Sequence, residues 1–180
     1  TLSHKEHNEV VEKVISFARK RVKVIAGTGS NSTREAIELT RHAQAAGADG
    51  ALLITPYYNR PTQRGLVEHF RAIARAVDLP LVLYNVPSRT GVNMLPPAII
   101  ELARSEKNIV GVKEASGSVD QTTEIIEALP ETFTVLSGDD SLTLPLMAVG
   151  ARGVISVLAN LIPKDVAALC AAPLENCTNG

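Results

Sequence analysis

The sequence has no tryptophan, and only six of its 180 residues are tyrosine or phenylalanine. With so few aromatics, the position of each one carries weight. Cysteine is scarcer still, with Cys170 and Cys177 standing close together near the C-terminus. Two neighbouring cysteines cannot frame a disulfide-built domain, and a reducing compartment, the cytoplasm, is expected. An excess of charge is also missing. The formal net charge is -1, with basic and acidic residues interspersed. That leaves no electrostatic footprint for nucleic acid. No apolar run approaches the roughly 20 residues of a membrane span, and the polar stretch 1–8 is unlike a signal peptide. No membrane partner is expected. The first residue is Thr rather than Met, as in a processed or excised chain. Asn176-Cys177-Thr178 matches a glycosylation sequon, a pattern short enough to recur by chance.

What is present is a repeated alternation. Short runs rich in Val, Ile and Leu fall at 22–26, 51–55, 81–84, 109–112, 133–136 and 154–158. Bounded by glycine or polar residues, they read as strands buried on both faces of a parallel sheet. Helical patterns separate them. Ser3-His4-Lys5-Glu6 and Ser32-Thr33-Arg34-Glu35 are capping boxes. Gly47 is a typical helix stop, and Pro96-Pro97 a typical helix start. Further helices are expected over 62–77, 120–129, 142–149 and 163–171. Gly47-Ala48-Asp49-Gly50 and Gly150-Ala151-Arg152-Gly153 look alike, as reuse of one βα unit would produce. The strand spacing of roughly 20 to 30 residues fits a (β/α)8 barrel, a TIM barrel, of about 250 residues. A doubly wound sheet is the structural alternative. It would usually carry a glycine-rich phosphate turn after its first strand. Gly27-Thr28-Gly29-Ser30-Asn31 lacks the third glycine and the Lys-Ser/Thr of a P-loop, so a tight strand-to-helix turn is the preferred reading.

Barrel chemistry sits at the C-terminal ends of the strands, and here those ends are polar. Lys113 closes the run Ile109-Val110-Gly111-Val112. Burial among apolar walls disfavours an ammonium and raises the share of free amine that a Schiff-base nucleophile needs. Position alone leaves this reading level with an ordinary lysine that snorkels to solvent or pairs with Glu114 or Glu101. Tyr84 ends another strand, where a phenol could shuttle protons or merely fill the core. Arg89 follows in the loop, where a guanidinium fork suits a carboxylate, or is a plain surface arginine. Tyr57, Tyr58 and Tyr84, half of all the aromatics, lie at strand ends. That placement tilts the balance toward a site.

Taken together, Gly27-Thr-Gly29, Thr55-Pro-Tyr-Tyr-Asn59, Tyr84-Asn-Val-Pro-Ser-Arg-Thr-Gly91, Gly111-Val-Lys-Glu-Ala115, Ser137-Gly-Asp-Asp140 and Gly153-Val-Ile-Ser-Val157 resemble the dihydrodipicolinate synthase family in order and spacing. The resemblance runs to about Ala171. The related N-acetylneuraminate lyases share the Tyr and Lys motifs but usually lack the Ser-Arg-Thr-Gly segment. The resemblance implies that Lys113 forms an imine with pyruvate and that Tyr84 relays protons to it. It implies that Tyr58 completes the relay of a neighbouring subunit, as in a tetramer built from tight dimers. It implies that Arg89 binds the carboxylate of aspartate semialdehyde, and that Gly138 and Ile155 line the pyruvate pocket. The implied reaction condenses pyruvate with aspartate-4-semialdehyde to 4-hydroxy-tetrahydrodipicolinate on the route to lysine. No metal or organic cofactor is expected, since the imine is itself the electron sink. His4, His7, Asn31, Glu35 and Tyr57 match a site for feedback lysine at the tight dimer interface, with inhibition at millimolar lysine or weaker. Two exposed histidines are the plainer account, and a His4–His7 metal pair lacks further ligands nearby.

The family's barrel has two strands before the first run seen here, the second ending in a Gly-Thr-Thr-Gly-Glu loop that carries a relay threonine. The resemblance therefore implies six of eight βα units, the third to the eighth, over 1–172, with 173–180 an unassigned tail. Six strands would leave open edges and an uncovered interior. As a free chain such a piece is expected to be unstable, to re-pair its edges, and to catalyse poorly. Two other functions stay open: another pyruvate-dependent aldolase, acting on N-acetylneuraminate or a 2-keto-3-deoxy sugar acid, and a catalytically silent remnant.

Overall fold

Five short parallel strands lie side by side in the order in which the chain makes them. They are β1 (Ile25–Gly27), β2 (Gly50–Ile54), β3 (Leu81–Asn85), β4 (Ile109–Glu114) and β5 (Thr134–Ser137). A doubly wound sheet reverses its strand order at a switch point. Here each crossover adds the next strand on the same side, as the winding of a (β/α)8 barrel does. The computed structural model describes residues 2–172. The tail at 173–180, with Cys177 and the sequon, lies outside them. The helices are α1 (His4–Ala18), α2 (Thr33–Ala46), α3 (Gln63–Ala74), α4 (Pro87–Thr90), α5 (Pro96–Ser105), α6 (Val119–Ala128), α7 (Thr143–Ala148) and α8 (Pro163–Ala171). Apart from the short α4, the helices from α1 to α7 pack against their chain neighbours in one outer layer. Among the described residues no helix is long and apolar enough to cross a membrane.

The core lies between the sheet and this helix layer. Side chains on a strand alternate between faces. Ala51 and Leu53 of β2, Leu81 and Leu83 of β3, and Val135 of β5 point outward, where they meet Leu66, Phe70 and Ile73 of α3 and Ile99 and Leu102 of α5. The opposite face, with Leu52, Ile54, Val82, Tyr84 and Lys113, is the inside of the barrel. In β4 the alternation breaks. Leu81 pairs with Ile109, but Val82 pairs with Gly111, so Val110 is an extra residue in the ladder. This bulge lets Ile109 and Val112, three apart, share the outer core. It also makes Lys113 the register partner of Tyr84 and sets both on the inner face.

Three sequence expectations change. The run at 154–158 is not a strand: only Val154 bridges to Ser137, and a 3-10 turn follows at Leu158–Asn160. The Asp140 carboxylate accepts from the Val157 and Leu158 N–H groups, each at 3.1 Å, and takes donors that a ladder would use. Among the described residues, six βα units are thus present with five full strands. The first strand starts at Ile25, not Val22, because the Val24 N–H donates to the Asp49 side chain at 2.9 Å. The first capping box forms in full, with Ser3 and Glu6 reciprocally bonded. The second forms by half: Ser32 Oγ accepts from the Glu35 N–H at 3.4 Å, but the Glu35 carboxylate turns instead to Ser30 and His4.

Between α2 and α3, His69 is 6% exposed and its Nδ1 meets Thr33 Oγ1 at 2.9 Å. Among the described residues its Nε2 has no partner. Burial pushes this imidazole down to about 4. The unfolded chain holds a histidine near the ordinary ~6.5. Between those values the unfolded state binds a proton that the folded state refuses. Stability is therefore fully present above about pH 6.5 and falls as pH drops toward 4, by up to ~3 kcal/mol from this residue. Urea melts at pH 7 and pH 4.5 on the parent chain and on His69→Gln should show a shallower acid loss in the variant. Equal losses would remove His69 from the account.

Candidate active site

The end of β3 and the end of β4 lie side by side at the barrel mouth. Lys113 is 9% exposed, and its Nζ sits 3.9 Å from the centroid of the Tyr84 ring. Neither carboxylate considered as a partner reaches it. Glu101 pairs with Arg71 at 2.7 Å, and Glu114 points to the other face of β4. Among the described residues no carboxylate lies within ion-pair distance of Lys113. The lysine that could have been ordinary is thus unpaired, buried and stacked on the one tyrosine of the sheet.

Gly138 follows β5 and donates its N–H to the Glu114 carbonyl at 2.8 Å. A Cβ there would come within 2.6 Å of Ala115 Cβ and 3.1 Å of Lys113 Cε. The Ile155 N–H donates to the Ser137 carbonyl at 3.0 Å and brings the 153–157 loop to the same strand end. Asp140, quoted in a motif but not singled out from the sequence, belongs to this neighbourhood. A hydrogen bond from Ser156 holds its carboxyl below the usual range, helped by the Leu158 and Val157 N–H groups and by the charge of Lys113. The signal for it was its place two residues beyond Gly138.

Tyr58 and Arg89 lie elsewhere. They share an open groove of about 620 Å³ with Tyr57, Arg60 and the 87–91 segment. Lys113 and Tyr84 do not line that groove. The short α4, absent from the sequence expectations, presents Arg89 to solvent, and Thr55 Oγ1 donates to Thr90 Oγ1 at 3.3 Å to tie the two loops together. The Asn59 N–H donates to the Tyr57 carbonyl at 2.8 Å across Tyr58, whose φ is +70°. This is the positive-φ form of the γ-turn, the rarer and more strained one, at a cost of about 1–3 kcal/mol. It projects the Tyr58 ring into solvent, 91% exposed.

The residues matched to a lysine site also meet, at the start of α2. His4 Nε2 lies 2.6 Å from the Glu35 carboxylate, which also accepts from Ser30. Asn31 Nδ2 donates to the Tyr57 carbonyl at 3.2 Å. His7 turns away and bonds the Gly27 carbonyl at 2.8 Å.

The Dihydrodipicolinate synthetase family model matches residues 1–179. This chain belongs to that family. The 4-hydroxy-tetrahydrodipicolinate synthase of Geotalea uraniireducens is 60% identical over 169 residues, which are 94% of this chain and 58% of the relative. The dihydrodipicolinate synthase of Acinetobacter baumannii, solved in complex with pyruvate, is 54% identical and superposes with a TM-score of 0.92, covering 95% of this chain and 58% of that one. The Cyanidioschyzon merolae protein, solved with lysine bound, is 46% identical with a TM-score of 0.93, covering 94% and 58%. The chain thus spans a little under three fifths of the length of these relatives.

Proposed function

We propose that this chain carries the imine-forming part of a synthase that condenses pyruvate with aspartate-4-semialdehyde. The observation that carries the reading is the buried, unpaired Lys113 amine 3.9 Å above the Tyr84 ring. The Lys113 nitrogen attacks C2 of pyruvate, and the carbinolamine loses water to give an iminium. Loss of a C3 proton gives an enamine, which adds to the aldehyde carbon of aspartate semialdehyde. The amino group of that substrate then displaces Lys113 and closes the ring of 4-hydroxy-tetrahydrodipicolinate. Tyr84 supplies and removes protons along this path, and the backbone at Gly138 and Ile155 borders the pyruvate. The family resemblance gives Arg89 the semialdehyde carboxylate, although within this chain its groove lies apart from Lys113. The strain and exposure of Tyr58 support a role outside its own barrel, in the site of a second copy.

Incubation with pyruvate, borohydride reduction and mass analysis tests the first step. An adduct on Lys113 is expected, and its absence from chain and from any longer form would sink the reading. Turnover with aspartate semialdehyde rather than N-acetylmannosamine separates the synthase from a sugar-acid aldolase.

A specific observation favours a second ligand for this family member. Glu35 leaves its capping box to face His4, and Asn31 and Tyr57 stand beside it. This cluster offers a carboxylate for an ammonium and donors for a carboxylate, which suits free lysine. The lysine-bound relative supports that choice. Calorimetry should show lysine binding that Glu35→Gln weakens about tenfold or more, the scale of one charged hydrogen bond. Equal affinity in the variant would move the ligand elsewhere.

A further inference from the structure

On the outer face of β4, directly after Lys113, Glu114 is 2% exposed and without a cationic partner among the described residues. Its Oε1 accepts from the Ser116 N–H at 2.7 Å, its Oε2 from Gln121 Nε2 at 3.1 Å, and both from Asn85 Nδ2 at 3.2 Å. The backbone of Met94 settles which way the amides point. Its N–H, which can only donate, is met by Asn85 Oδ1 at 2.9 Å, and its carbonyl, which can only accept, is met by Gln121 Nε2 at 3.3 Å. Asn93 closes the ring, its Nδ2 donating to Gln121 Oε1 at 2.9 Å. Glu114 therefore faces donors alone. A buried carboxylate held only by neutral donors is expensive, and losing one donor more so.

Its place shows what it does. Asn85 and Glu114 are register partners, one residue beyond the partners Tyr84 and Lys113. Because the faces alternate, the outer pair and the inner pair grip the same stretch of two backbones. The outer pair is bonded side chain to side chain, and the inner pair is not. The Glu114 carbonyl also receives the Gly138 N–H, and the Asn85 carbonyl the Ala115 N–H at 2.9 Å. We propose that Asn85, Glu114 and Gln121 form a clamp outside the barrel that positions Lys113 over Tyr84 inside it. The inference rests on Lys113 as the imine-forming amine and Tyr84 as its proton relay. The clamp residues touch no substrate and are positioning residues.

Glu114→Gln is nearly isosteric but places an amide donor among donors. In the full chain, the ε-methylene protons of Lys113 should resonate upfield under the Tyr84 ring current. Glu114→Gln should collapse that shift toward the exposed lysines and slow pyruvate–borohydride trapping about 10- to 100-fold, the scale of an ångström's misplacement. The double variant Asn85→Asp, Glu114→Gln restores a donor facing an acceptor across the two strands but leaves the Gln121 amide and the Met94 carbonyl mismatched, so it should recover only part of both. Gln121→Met, which removes one donor without creating a clash, should give a smaller loss and serves if Glu114→Gln fails to fold. Ile73→Val, a comparable destabilisation on α3, should move neither readout. An unchanged ring-current shift in Glu114→Gln and Gln121→Met overturns the clamp, whatever the trapping rate. A collapsed shift in a protein whose parent never traps pyruvate leaves the clamp standing and sinks the assignment of Lys113 instead.

Discussion

Lys113→Ala should leave no borohydride-reducible adduct with pyruvate and should lower any turnover of the active form by at least about 10³-fold. The size follows from the chemistry. Among the described residues no other lysine is buried at the mouth, and the covalent bond is what turns a poor carbon acid into an enamine. The six other lysines, at 5, 13, 20, 23, 107 and 164, are all exposed. They can react with pyruvate only as free lysine does, slowly and without preference. Lys113→Arg should fail as completely, because a guanidinium keeps the charge and the stem but does not give up a proton. The fold should survive both changes. The contact of Nζ with the Tyr84 ring contributes about 0.5–2 kcal/mol, a fraction of a domain's stability. Peptide mapping of the reduced adduct checks the result. A variant that still traps pyruvate at the parental rate on one residue would move the nucleophile elsewhere.

Gly138→Ala should be the most damaging single methyl in the site. Its Cβ would stand 2.6 Å from Ala115 Cβ and 3.1 Å from Lys113 Cε. Something must give. The neighbours most able to move are the 138–140 loop and the Lys113 stem, and the backbone of Gly138 is held by the Glu114 carbonyl. Overpacking of this kind costs about 1–3 kcal/mol. The larger effect should fall on chemistry. An amine displaced by about 1 Å from its approach loses about 10²-fold in rate. A thermal melt beside a trapping time course separates the two. A drop of a few degrees with trapping intact would show that the loop yields and the lysine does not.

The barrel winding was legible because apolar runs and polar strand ends recur with a regular spacing. Lys113 and Tyr84 were legible as strand-end residues, but their pairing was not. The segment 109–112 is apolar at every position except Gly111, so no period of two can reveal that Val110 is a supernumerary residue. Glu114 is a different case. Strict alternation after Lys113 already turns it to the far face, so the ion pair weighed against the nucleophile could have been set aside from the sequence. The half-made box at Ser32 and Glu35 shows a local pattern losing to a tertiary partner, His4, whose position depends on where α1 packs. The run 154–158 failed for a related reason. Its composition suits a strand, but its N–H groups are claimed by Asp140, a residue 17 positions away from Val157. Arg89 and Tyr58 were found as residues, and their groove lies apart from Lys113 within this chain.

The extra residue at Val110 makes the site a matter of parity. Tyr84 and Lys113 share a face because the count of residues along β4 is shifted by one against β3. Were Val110 to pair with Val82 instead, the same side chains in the same order would send the amine out toward α6 and bring Glu114 into the mouth. Deleting one residue between 109 and 113 would remove the bulge and keep Lys113 opposite Tyr84, whereas inserting one beside the bulge would exchange the faces. In the descent of such chains, a strand one residue shorter should therefore have lost the bulge wherever the lysine is still used.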